Sequence, residues 1–234
     1  MAKKQTDEWS FDFSSLDFDY EPKKNQEAIP INRLNVEGVA FENAEKMVNS
    51  LDYSKDYFCF VGGSFIFGDF IEALIYQKEL MPTVVYITTL GMSENNIDSI
   101  VNLVDYLGTQ KVNLIVSHYF AGVERHKLIP YMEREFKNRP IDVAVLQSHA
   151  KIALIRSQNG DVAICGSANL SSSNNVEQFC ILHSSPICDY IQSRLDEIME
   201  RFTVIRGLDG AKFDWHNNKN NTGKKAFDAI FGEN

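Results

Sequence analysis

His149 and Lys151 stand two residues apart, as do Ser167 and Asn169, and Glu177-Gln178 follows a serine- and asparagine-rich connection. On an extended chain side chains alternate faces, so each pair shares a face. A neutral histidine can attack phosphorus or accept a proton, and its protonated form can give one to a leaving oxygen. Lys151 would neutralise phosphate charge, while Asn169 and Ser167 would donate hydrogen bonds to its oxygens. Glu177 could accept from His149 Nδ1 and fix the tautomer so that Nε2 faces the substrate. Spacing alone leaves an exposed strand and a turn equally open.

The elements that must position these groups read as follows. Apolar runs on either side of Asn159-Gly160-Asp161 predict a β-hairpin. Strands are predicted at 57–61, 83–88, 112–116, 141–146 and 177–182. Helices are predicted at 41–51, 69–80, 93–107, 124–136 (bent near Pro130) and 186–202. Strands alternate with helices early and cluster late, which argues an α/β fold: an α/β/α sandwich with a mixed, mainly parallel sheet. Residues 1–30, where acids alternate with aromatics, read as a disordered tail that could carry a motif for a protein partner. The folded domain is expected over 31–206, and 207–234 reads as a flexible Asn/Lys-rich tail.

Charge and cysteine usage narrow the class. A net charge of −9 argues against a surface that is basic overall, though not against a local basic cleft. Cys59, Cys165, Cys180 and Cys188 form no Cys-x-x-Cys pair and read as reduced thiols. No apolar leader follows Met1 and no apolar run has the length of a membrane span, so a cytoplasmic setting without membrane attachment is expected. Walker-type, His-Glu-x-x-His and EF-hand patterns are absent.

His149-x-Lys151, Gly166-Ser167-x-Asn169 and Glu177-Gln178, in that order, resemble the signature of the phospholipase D superfamily. The resemblance implies metal-independent phosphodiester chemistry through a phosphohistidine, with no cofactor. Family sites use two His-x-Lys motifs, whereas here His118, His126, His183 and His216 offer no second copy. The implied enzyme is therefore a homodimer with one composite site. His149, Lys151, Asn169 and Glu177 would be catalytic, and Gly166 and Ser167 would bind substrate. Single-motif members resemble nucleases, so DNA or RNA is the implied substrate. A degenerate nucleic-acid or protein binding module and a phospholipid phosphodiesterase or transferase are the alternatives. The family's Asp is replaced by Arg156, which strand parity turns away from the site. Ser64, in Gly62-Gly63-Ser64, and His118 stand at strand ends and are further substrate-binding candidates. Tyr119 could line the same groove. Arg125-His126-Lys127 forms a small basic cluster.

Overall fold

The computed structural model describes residues 27–30, 39–40, 44–52, 54–61, 67–170 and 176–218. The strands are β1 (Glu27–Pro30), β2 (Val39–Ala40), β3 (Tyr57–Val61), β4 (Pro82–Thr89), β5 (Val112–Ser117), β6 (Ile141–Leu146), β7 (Ile152–Ser157), β8 (Val162–Gly166), β9 (Glu177–Leu182) and β10 (Thr203–Arg206). The helices are α1 (Ala44–Ser50), α2 (Phe67–Gln77), α3 (Glu94–Asp105), α4 (His118–Val123), α5 (Leu128–Glu135), α6 (Ser185–Phe202) and α7 (Trp215–Asn218). Among the described residues the strands form one sheet, ordered β10-β6-β5-β4-β7-β8-β9-β3-β1-β2.

The sheet is mixed but mostly antiparallel, which corrects the expected mainly parallel one. Only β4–β5 and β5–β6 run parallel; the other pairings are antiparallel. A parallel step needs a crossover long enough to return the chain to the same edge. α3 supplies one, and α4 with α5 the other. From β7 onward hairpins take over: β7, β8 and β9 pair in chain order.

Alternation along the strands explains the two helical layers. Val85, Ile87, Leu114, Val143, Ala153 and Ile155 pack with α1, α2, α3 and α5. Tyr86, Ile115, Ala144 and Leu154 face the other way, onto Cys188, Leu195, Met199 and Phe202 of α6. The result is an α/β/α sandwich. The Tyr86 hydroxyl donates to Asp196 and pins α6 across the sheet.

Local signals set most boundaries. Asn96 Oδ1 accepts from Ser93 N–H at 3.3 Å and from Ser93 Oγ at 2.8 Å, which starts α3. Gly108, at φ +69°, takes the left-handed conformation that ends it. The helix expected over 124–136 is the shorter α5, and a separate helix not expected from the sequence, α4, precedes it. Ser117 caps α4 by accepting from Phe120 N–H at 3.0 Å, and Pro130 sits harmlessly in the first turn of α5.

Packing also runs past the composition boundary at Gly207, because Ala211 and Phe213 are buried in the core. Arg125 lies over the Trp215 ring, 4.4 Å from its centroid, so part of the small basic cluster is spent on that contact. Residues 1–26 of the expected tail, residues 219–234, and Gly62-Gly63-Ser64 lie outside the described residues. Among the described residues no helix is long and apolar enough to cross a membrane.

Candidate active site

Strand register brings the motif residues to one edge of the sheet. Thr88, near the end of β4, pairs with Ile152 at the start of β7. Ile152 pairs with Cys165 near the end of β8, and Gly166 pairs with Phe179 near the start of β9. Val61, the end of β3, pairs with Glu177. The parallel strands β4, β5 and β6 end on this same edge, where α/β sheets commonly bind ligands.

His149 and Lys151 lie just before β7 rather than within a strand, which corrects the extended-strand placement. They still meet. Lys151 Nζ is 3.0 Å from His149 Nδ1 and donates to the His149 carbonyl at 3.0 Å. His149 is exposed, whereas Lys151 is only 8% exposed. Burial pushes the lysine's pKa below its ordinary value, and the Glu177 carboxylate pulls the other way. As an ammonium, Lys151 donates to Nδ1 and leaves the imidazole proton on Nε2.

Ser167 and Glu177 form a second pair. The Ser167 hydroxyl donates to Glu177 Oε2 and accepts from Gln178 N–H at 3.0 Å, and Ser167 N–H donates to the Gln178 carbonyl at 2.8 Å. The expected Glu177-to-His149 bond is therefore not what this chain forms by itself: pairing of β8 with β9 hands the carboxylate to Ser167. Gly166 makes that pairing possible. A Cβ there would lie 2.2 Å from the Gln178 carbonyl oxygen and 2.4 Å from Phe179 Cβ.

Asn169 Oδ1 accepts from Leu90 N–H at 3.3 Å. Its oxygen is thus committed to the protein, and its N–H2 is the group left for an anion. His118, half-buried at the start of α4, lines with His149 a recess of about 310 Å³ formed also by Leu90, Ser117, Tyr119, Gln147 and Ser148. A larger cavity, about 690 Å³ between α1, α2 and α3, is lined by Asp69, Glu72, Tyr76 and Tyr106 among others and holds none of the motif residues.

Sequence reading missed two threonines that hold this edge together. Thr88 Oγ1 accepts from Ile152 N–H at 2.8 Å, and Thr89 Oγ1 accepts from Leu170 N–H at 3.1 Å. They tie the start of β7 and the loop after β8 to the same strand end. Their only sequence signal is two hydroxyls closing an apolar strand, which β-propensity explains equally well.

Arg156 points to the α6 side of the sheet. Nη2 is 3.3 Å from Asp161 Oδ2 and Nη1 is 2.8 Å from Asp189 Oδ1. The latter contact lies off the hydrogen-bonding direction and acts as a charge pair. The four cysteines are free thiols, and burial pushes Cys165 and Cys188 up to about 11. Among the described residues no group of three or more His, Cys, Asp or Glu side chains is placed to hold a metal ion.

No protein-family model and no curated protein matches the chain. Over part of its length the fold is similar to solved structures at low identity. A polyphosphate kinase from Porphyromonas gingivalis is 18% identical, with a TM-score of 0.46, over 70% of this chain and 26% of its own; this chain spans about a quarter of that protein. NucT from Helicobacter pylori is 19% identical, with a TM-score of 0.44, over 60% of this chain and 96% of its own. Nuc from Salmonella typhimurium, a phospholipase D family member, is 12% identical, with a TM-score of 0.43, over 55% of this chain and 85% of its own.

Proposed function

We propose that the protein is a metal-independent phosphodiesterase, a homodimeric nuclease acting through a phosphohistidine. The observation that carries the reading is an exposed His149 with a buried lysine 3.0 Å from its Nδ1, at an edge that also bears Asn169 and the Ser167–Glu177 pair. Nε2 of one His149 attacks phosphorus, forming a P–N bond. The bond to the leaving oxygen breaks, and the partner's His149 gives that oxygen a proton. Water then attacks the phosphohistidine, surrenders a proton to the partner's His149, and the P–N bond breaks.

Lys151 and Asn169 hold the phosphate oxygens as negative charge develops. The proton-donating histidine is the imidazolium, protonated on both nitrogens, and the attacking one carries its proton on Nδ1, so at both histidines Lys151 turns from Nδ1 to the phosphate. The test is cleavage of single- and double-stranded DNA and RNA in excess EDTA by wild type and His149→Ala. Salt-sensitive binding of nucleic acid without any cleavage would favour a degenerate binding module instead.

Lys151→Met separates stability from activity. Burial lowers the folded-state pKa, so the folded chain holds its lysine proton less tightly than the unfolded chain does. Stability therefore rises as pH rises through the lowered pKa, and the charged form costs stability below it. Removing the charge is expected to raise Tm at neutral pH. The gain over wild type should shrink as pH climbs into the lysine range. Cleavage should fall by about a hundredfold or more. Thermal melts across pH, paired with cleavage rates, check both halves.

A further inference from the structure

We propose that the recess beside His149 is a nucleobase-binding site, and that the protein takes unpaired strands with one base seated there. The inference rests on the nuclease reading and adds what receives the base next to the phosphate.

The recess, about 310 Å³, lies between the segments that follow β4, β5 and β6, and His149 forms part of its wall. It is therefore contiguous with the group that would meet phosphorus. Tyr119 also lines it and is 72% exposed. Among the described residues its ring stacks on no other ring and its hydroxyl bonds to no group. Its neighbours hold it in place: Ser117 donates to the Leu90 carbonyl at 2.6 Å and caps α4, and Phe120 is buried. The platform is exposed while its backbone is fixed.

Gln147, exposed and also lining the recess, carries an amide without a hydrogen-bond partner among the described residues. An amide presents both a donor and an acceptor, which is what a base edge requires. Leu90 contributes an apolar residue to the lining and His118 a second ring. A face to stack on, an edge to bond and an adjoining phosphate group are the parts of a single-stranded nucleic-acid site. A paired base keeps its edge and both faces occupied inside the duplex and cannot enter.

The test uses fluorescence anisotropy with a labelled twelve-residue thymidine strand and a twelve-residue abasic strand carrying the same phosphates. Both are measured on the full chain in a His149→Asn background, which blocks turnover. The thymidine strand is expected to bind roughly tenfold more tightly than the abasic one. Tyr119→Ala should abolish that difference by weakening only the thymidine strand, Tyr119→Phe should keep it, and Gln147→Ala should reduce it. Equal affinity for the two strands, or an equal loss on both in Tyr119→Ala, overturns the proposal. Failure of the nuclease reading is separable, because it appears as intact strands after incubation with wild type whatever the base dependence of binding.

Discussion

Replacing His149 with alanine is expected to lower phosphodiester cleavage by roughly a thousandfold or more while leaving the fold intact. The size follows from the role: the imidazole is both the nucleophile and, from the other subunit, the acid. Losing a residue that acts as part of a unit removes most of what the unit does. The fold should tolerate the change because His149 is exposed and its ring touches the protein through Lys151. Tm should move by no more than about 2 °C, as for a surface substitution. A composite site adds a second expectation. Mixing His149→Ala with excess wild-type chain should not yield half-active heterodimers, because each site needs both imidazoles. Rates from titrated mixtures, with subunit exchange verified, read this directly.

Gly166→Ala is expected to be the most damaging single methyl group at this edge. The added carbon would lie 2.2 Å from the Gln178 carbonyl oxygen and 2.7 Å from Phe179 Cα, both backbone atoms that cannot step aside without parting β8 from β9. Overpacking of a tight core costs about 1–3 kcal/mol, and backbone contacts this short put the change at the upper end. That corresponds to a fall in Tm of about 5–10 °C. Strand separation would also break the 2.8 Å Ser167-to-Gln178 bond and release Glu177, so cleavage should fall with stability. Gly122 in α4 is the control. A Cβ there meets nothing within 4 Å, and alanine is the better helix former, so Gly122→Ala should match or exceed wild-type Tm. Thermal melts of the two variants under one set of conditions decide the matter.

Much of the framework was legible because local signals were strong. The apolar runs at Tyr57–Val61, Ile141–Leu146 and Glu177–Leu182 stop at turn residues, and the strands keep those limits. Strand direction was not legible, since alternating helices imply parallel crossovers only where the chain uses them. β10 escaped because Thr203-Val204-Ile205-Arg206 follows α6 with no turn residue between.

The site shows the same division. That His149 and Lys151 would be neighbours follows from their spacing, although the strand begins only at Ile152, where the Thr88 hydroxyl takes the Ile152 N–H. The partner of Glu177 depends on β8 pairing with β9, which is tertiary information. His118 and Tyr119 reach the recess through the parallel order β4-β5-β6, again a long-range fact that no local pattern carries.

The central claim is a covalent bond between His149 and phosphorus, and single-turnover cleavage of a radiolabelled strand, quenched with detergent at alkaline pH, tests it most directly. The expected result is acid-labile label on the wild-type chain, mapped to the His149 peptide, approaching one phosphate per two chains and absent from His149→Ala. Turnover in EDTA without any label on His149, or equal label on His149→Ala, would contradict it.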